Sequence, residues 1–333
     1  MASDKSPIDL EIMNAFDPIA RPIWAWGAAS IAMGIFKTSP GTTIAFHNLE
    51  ALPKDRPVIV AMNHTQFYDF LPLRAPLLFR GHRFVSWVKA RAYRSSKASG
   101  FLMRTGNIPI SSKGYIVASD FYDLFQRAPT DEEYEHLRLH LNYNQPFPEK
   151  DAIFEKLQFE PREILGRHFN PSRETWRQAI REIFYEFMTL TVEKTRRCVE
   201  RGDHVHIYPQ GTIAPRLIPG KTGIIQTALA LDLPILAVGV SGCREAYYKG
   251  TPLTYPNSRF VVRFGDELYH VPRNEFPDDY RPFHPDDEMA HRAKLQRHVD
   301  VIMDRINALV EPEYQWADDD ALAEVKRGVE RFF

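Results

Sequence analysis

Cysteine is scarce in this chain of 333 residues. Cys198 and Cys243 are the two present, and their spacing is unpaired. A disulfide framework or a cysteine zinc site is not expected, and a reducing compartment fits. Global charge is missing too: net charge is -1, so nothing in the overall balance points to nucleic acid, and any electrostatic argument has to be local. No secretory signal is expected, because MASDKSPIDLEIMNAFDP is polar and partly acidic where a leader has a basic start and an apolar run. The one apolar stretch, residues 22–36, has 15 residues without a charge between Arg21 and Lys37. A bilayer-spanning helix needs about 20. Two readings stand side by side: a buried helix, or one lying in a membrane interface with Trp24 and Trp26 at headgroup depth. No Ser or Cys sits in a nucleophile motif, and there is no internal repeat.

What is present is an ordinary globular composition, with 44% apolar and 26% charged residues and 25 prolines. Residues 1–50 read as helical, a segment open to the membrane-interfacial reading, ahead of a main domain over 51–333. From 57 onward short apolar runs alternate with helical patterns. The expected strands are 57–63, 83–88, 107–110, 204–209, 234–240 and 259–265, with a helix at 222–231. That alternation predicts an α/β fold: a mixed, largely parallel central sheet flanked by helices. Residues 115–185 break the rhythm and read as a helical insertion. Pro285 and the acids after it start a last helix, with Ala293, Val299, Ile302, Ile306 and Leu309 as its apolar stripe.

Three stretches carry polar groups at expected strand ends, where ligands of such sheets sit. In AMNHTQFYDF, His64 follows a strand and Asp69 comes five positions later. A carboxylate can hold one imidazole tautomer and raise its basicity, leaving the other nitrogen to accept a proton. The bland alternative is a polar turn with Asp69 as a helix cap. In TGNIPISSKG, Ser111, Ser112 and Lys113 leave a strand together. In HIYPQGTIAPRLIPGKTG, Gly211 permits a close backbone approach, and Arg216 and Lys221 precede a helix N-terminus, a reasonable anion cradle. An ordinary strand end or a plain Pro-Gly loop explains either of the last two equally well.

Taken together and in order, these stretches resemble the lysophospholipid (1-acylglycerol-3-phosphate) acyltransferase superfamily. The first block, Asn-His-x-x-x-x-Asp, is matched by Asn63, His64 and Asp69. The second, Gly-x-Ile-x-Ile-x-Arg, is matched through Gly106, Ile108 and Ile110. The third, Phe-Pro-Glu-Gly-Thr-Arg with a later Lys-x-Gly, is matched by Tyr208, Pro209, Gln210, Gly211, Thr212, Lys221 and Gly223. LPILAVGV fits the Pro-centred fourth block. The resemblance covers residues 50–114 and 200–245. It implies transfer of a fatty acyl group from acyl-CoA or an acyl carrier protein to a lysophospholipid hydroxyl, with no bound cofactor and no metal. His64 is then the base and Asp69 its orienting partner, and backbone N–H groups near Gly211 hold the oxyanion. Asn63, Ser112, Lys113, Gln210, Gly211, Thr212, Arg216 and Lys221 are the expected substrate-binding set.

Three positions depart from the pattern. Gln210 replaces a Glu, and Ser112 and Ile213 replace arginines that the family associates with the acceptor's phosphate. Lys113 and Arg216 are the nearest substitutes in sequence. Residues 74–104 hold eight basic residues and no acidic one, which suggests a surface for an anionic membrane or for the phosphates of the donor. The expected location is the cytoplasmic face of a membrane, with lipid and thioester as partners and no nucleic acid. Two other readings compete: a metal-dependent hydrolase using His64, Asp69, His204 and His206, and a lipid-binding protein on a decayed acyltransferase fold.

Overall fold

The structure, a computed structural model, describes residues 8–18, 22–94, 96–318 and 322. Helices α1 (Leu10–Ala15) and α2 (Pro22–Thr38) precede strand β1 (Thr43–His47). Then come β2 (Ile59–Met62), α3 (Leu71–Leu78), β3 (Phe84–Lys89), α4 (Ser96–Arg104) and β4 (Asn107–Ile110). Helices α5 (Lys113–Phe125), α6 (Asp131–Tyr143) and α7 (Ala152–Phe159) follow, then strands β5 (Arg162–Ile164) and β6 (Arg167–Phe169) and the long α8 (Trp176–Glu200). The last group is β7 (His204–Ile207), α9 (Gly223–Leu231), β8 (Ile235–Ser241), β9 (Arg259–Tyr269) and α10 (Pro285–Leu309).

Seven strands form one sheet in the order β1-β9-β8-β2-β7-β3-β4. Strands β8, β2, β7, β3 and β4 run parallel, while β9 is antiparallel to β8 and parallel to β1. The expected mixed, largely parallel sheet is therefore present. Its centre is apolar because both faces are covered. Along β2, Ile59 and Ala61 face one cluster with Ile116 of α5, Ile180 of α8, Ile225 of α9 and Ile302 of α10. Val60 and Met62 face the other, with Ala32 and Phe36 of α2 and Leu73 and Leu77 of α3. The period of two along a strand produces this split.

Several boundaries differ from the sequence reading. Residues 1–50 are not helical throughout, since Thr43–His47 pairs with Arg259–Arg263 at the sheet edge. That strand is only half-buried, so its sequence lacks a strong apolar run. The insertion is not purely helical either, because β5 and β6 form an antiparallel hairpin within it. It is also part of the core: Phe121, Leu137, Phe154, Phe169 and Trp176 are fully buried in the first cluster. Asp120 ties it together, accepting Arg162 on both carboxylate oxygens at 2.7 Å and Trp176 Nε1 at 2.8 Å. On α10, Ala293 faces solvent and Leu295 and Met303 join the buried stripe instead. Each fully buried side chain of that size contributes about 1.5–3 kcal/mol. α10 seats closely on the loop between β7 and α9 because Gly220 has no side chain; a Cβ there would lie 2.5 Å from Val299 Cγ1.

At the amino end of β7, His204 is buried against His82. Its Nδ1 accepts the Val58 backbone N–H at 3.2 Å, so its proton sits on Nε2 and is donated to His82 Nδ1 at 3.1 Å. Burial, with His82 beside it, lowers the His204 pKa to about 4. A histidine held neutral in this way stabilises the fold fully above its ordinary pKa, and that stability is lost as pH falls through the folded value. Between pH 7.5 and 4.5, wild-type protein should lose about 2 to 3 kcal/mol more stability than His204→Gln. Urea unfolding at the two pH values checks this, and equal losses in both proteins would refute it.

Candidate active site

Because β2, β7, β3, β4 and β8 run parallel, their carboxyl ends meet along one edge of the sheet. His64 follows β2 by two residues, and Tyr208 leaves the neighbouring β7. Residues 66–70 turn back before α3, and this brings Asp69 against the imidazole. His64 Nδ1 lies 2.9 Å from Asp69 Oδ2. The same oxygen accepts the backbone N–H groups of Thr65 at 2.9 Å and Gln66 at 3.3 Å. Asp69 is thus both the turn cap and the imidazole's partner. The other oxygen, Oδ1, accepts the Tyr208 hydroxyl at 2.6 Å.

This arrangement sets the tautomer. The proton facing the carboxylate is on Nδ1, and Nε2 is the basic nitrogen. Asp69 is 1% exposed and the His64 side chain 18%, so the pair is shielded on the carboxylate side and open on the ring side. Among the described residues nothing hydrogen-bonds His64 Nε2. Tyr208 also stacks on His64, with ring centroids 3.9 Å apart and planes 15° from parallel. Burial and the adjacent Asp69 charge hold the Tyr208 hydroxyl well above its ordinary pKa, so it stays a donor. Sequence reasoning placed Tyr208 in the third block but gave it no role. The available signal was a Tyr where the block has Phe.

Beneath the pair, His206 meets Tyr208 edge-on at 4.6 Å and is kept neutral, its pKa pushed well below the ordinary value by burial and then by Arg74 and His64. Arg74 points inward. It donates to Ser86 Oγ at 3.0 Å, Asn107 Oδ1 at 3.2 Å and the Phe84 carbonyl at 2.8 Å. Burial lowers its pKa to about 10, so it remains charged at neutral pH. The basic segment is therefore not one surface: Arg74 is internal and Arg83 is paired with Asp203 at 2.7 Å. The side chains of Arg94 and Lys97, like Arg21, lie outside the described residues.

The expected substrate-binding residues separate into two groups. Asn63 is fully engaged with Val240, donating to its carbonyl at 2.8 Å and accepting its N–H at 2.7 Å. Gln210 is buried, and its Oε1 accepts the His64 backbone N–H at 3.0 Å. Both act as braces between strand ends. Ser112 caps α5 by accepting from the Tyr115 N–H at 3.1 Å. Lys113 pairs with Glu288 at 3.7 Å and lies over Phe184. Arg216 donates to the Gln315 carbonyl at 3.1 Å and faces Asp318 at 3.6 Å. Neither cation replaces the missing arginines by position alone, since each already has an anionic or carbonyl partner. The Gly211 N–H is donated to the Tyr208 carbonyl at 3.0 Å, so it closes a turn and is not presented as an oxyanion donor. Gly211 has φ +67°, which favours glycine, and the stem of Lys221 packs beside it. Thr212 lies half-buried in the same loop. The hydrolase ligand set does not assemble: His204 is bonded to His82 and Val58, and among the described residues no group of three His, Cys, Asp or Glu could hold a metal.

A family model described as Acyltransferase matches residues 43–138, the segment from β1 into α6 that contains His64, Asp69 and the second block. Over that segment the chain is similar to the acyltransferase family. No curated protein matches the chain. Among solved structures it is similar to the 1-acyl-sn-glycerophosphate (LPA) acyltransferase PlsC from Thermotoga maritima, at 13% identity and a TM-score of 0.38, over 90% of this chain and 80% of that one.

Against the acyltransferase blocks, the departures now have positions. Ile213, where the third block has Arg, is 45% exposed and apolar. Gln210, where it has Glu, keeps the acceptor oxygen that the His64 N–H needs. Gln210→Glu keeps that oxygen but buries a charge where the amide nitrogen faces the Arg216 carbonyl, so it should lose about 1–3 kcal/mol at neutral pH. Gln210→Ala should lose about 1–3 kcal/mol, the cost of leaving a buried N–H unpaired. Denaturant midpoints and initial rates on the two variants decide the point; a stable Gln210→Ala would show that the brace is dispensable.

Proposed function

We propose that the protein transfers a fatty acyl group from an acyl thioester, on coenzyme A or a carrier protein, to a hydroxyl of a lysophospholipid or related glycerolipid. The observation that carries this reading is the His64–Asp69 contact, which leaves Nε2 facing outward at the carboxyl edge of the sheet in an acyltransferase-family segment. Nε2 accepts the proton of the acceptor hydroxyl as its oxygen attacks the thioester carbonyl carbon. The carbonyl π electrons move to oxygen, and on collapse the C–S bond breaks. The leaving thiolate takes the proton back from His64, and the ester remains on the acceptor. Asp69 stabilises the transient imidazolium. No covalent enzyme intermediate is needed.

Positive charge for an anionic substrate group comes, on this reading, from Lys89 together with Lys221, the lysine that the third block already has. Lys89 ends β3 at the same sheet edge, and Lys221 packs beside Gly211. Burial lowers the pKa of both. Arg91 and then Lys221 add to the effect at Lys89, which drops to about 8. Like charges crowded this way gain most when an anion arrives between them.

The same reading puts the protein at a lipid surface. No helix among the described residues is long and apolar enough to cross a membrane. Yet α2 exposes Ile23, Trp24, Trp26 and Ile31, and Phe79 and Phe101 are exposed as well. Trp26 meets Phe79 edge-on at 5.0 Å and Arg104 lies over Trp24 at 5.5 Å, so aromatic and cationic groups are interleaved. That pairing suits an anionic interface on the cytoplasmic side.

Incubating the protein with a long-chain acyl thioester and a mixed lysolipid pool, then reading products by mass spectrometry, tests the function directly. His64→Ala should lose at least about a hundredfold in rate while staying folded, and Asp69→Asn at least about tenfold. A folded His64→Ala that keeps most of its activity defeats the base assignment. Co-sedimentation should show binding to vesicles containing an anionic phospholipid and little to neutral ones. Trp24→Ser with Trp26→Ser should weaken that binding at least about tenfold, and unchanged binding would remove α2 from the interface.

A further inference from the structure

We propose that Tyr208 is a positioning residue for the His64–Asp69 pair, holding the carboxylate by its hydroxyl and restraining the basicity of His64. The inference rests on His64 acting as the base and goes beyond it, because it concerns what sets the strength of that base. The position falls in the block where a Phe is expected, and a Phe would supply the ring without the hydroxyl.

Three contacts support this role. The hydroxyl reaches Asp69 Oδ1 at 2.6 Å, the short range of an O–H donor to an ionised carboxylate. Oδ2, on the same carboxylate, faces His64 Nδ1 at 2.9 Å. The phenol ring lies flat on the imidazole at 3.9 Å, so it limits tilting of the base. Each donor that Asp69 accepts withdraws negative charge from the oxygen facing His64. The imidazolium is then stabilised less, and proton release to the leaving thiolate is favoured. Thr65 N–H and Gln66 N–H act in the same sense but belong to the turn itself. Tyr208 is the donor that a single conservative substitution removes.

The surroundings leave few competing titrations. The groups facing this pair are His206 and Tyr208 on the β7 exit, Arg74 from α3, and Cys243 and Tyr247 from the segment after β8, with Glu245 beyond Cys243. Burial keeps His206 neutral and the Cys243, Tyr208 and Tyr247 groups protonated. Arg74 stays charged, with a pKa of about 10. A shift in the acid limb of activity therefore reports on His64 and its carboxylate.

The test is Tyr208→Phe, which keeps the ring and both stacking contacts. Two readouts are taken: the pH profile of kcat/KM for acyl transfer, and the titration of the His64 imidazole by NMR with histidine-labelled protein, assigned through His64→Ala. Losing the hydroxyl should move both the acid limb and the His64 titration upward by about half to one pH unit. The rate should fall about three- to tenfold near pH 6 and recover to within about twofold by pH 9. An unmoved His64 titration overturns the proposal, whatever happens to the rate. A moved titration in a protein whose His64→Ala variant stays active would instead uphold the coupling and defeat the base reading. In an Asp69→Asn background the Tyr208→Phe shift should vanish, and its persistence would also overturn the proposal.

Discussion

A carboxylate with 1% exposure is costly unless its charge is met on every side. Asp69 meets that condition with the Thr65 and Gln66 N–H groups, the His64 ring and the Tyr208 hydroxyl. These four donors come from two segments far apart in sequence, the turn after β2 and the exit of β7. Satisfying one buried charge therefore joins the two strand ends and orients the imidazole. The geometry at His64 depends on that requirement. If the charge went unmet, the turn, the stack and the tautomer would all lose their reason together.

The strand ends are braced independently, which keeps the pair in place. Asn63 exchanges two hydrogen bonds with Val240 and so locks β2 to β8 one residue before His64. On the other side Gln210 accepts the His64 N–H, and the Ala214 N–H is donated to the His64 carbonyl at 2.9 Å. His64 is therefore held by its backbone from the segment after β7 and by its ring from Asp69. A base needs this, because small errors in the placement of the accepting nitrogen cost large factors in rate. The polar residues of these blocks thus differ in role. On the proposed reading His64 and Asp69 carry the chemistry, whereas Asn63 and Gln210 fix position.

The centre of the fold was legible because apolar runs such as PVIV and PILAVGV have no other good use than a doubly covered parallel strand. β1 was not legible, since an edge strand that is half-buried needs no apolar run. The hairpin of β5 and β6 has three residues per strand, too few for a period to register. His64 and Asp69 were readable as a pattern, and the structure brings them together. Ser112 stands at a block position and Lys113 and Arg216 are the nearest cations in sequence, and neither fact gives side-chain direction. Arg74 shows the same limit, counted with a basic surface while its guanidinium satisfies three acceptors inside the protein. Tyr208 was overlooked because pattern matching treats Tyr as Phe, whereas a buried carboxylate distinguishes them by a hydrogen bond.

The absence of the block arginines bears on what the proposed enzyme would accept. An Arg fork binds a phosphate through two fixed N–H directions and selects for its geometry. Lys89 and Lys221 offer point charges on flexible stems, with weaker directional demands. Ile213, exposed and apolar where an arginine is expected, offers no charge at all. On the proposed reading, a site built this way would attract an anionic headgroup without insisting on a terminal phosphate monoester. Selection then shifts from the headgroup to the hydroxyl, whose oxygen has to reach His64 Nε2, and to the acyl thioester, whose carbonyl has to meet it there. The rigid pair and the permissive charge belong to one arrangement: on the proposed reading the chemistry would be tightly specified, and the acceptor chiefly by where its hydroxyl can be placed.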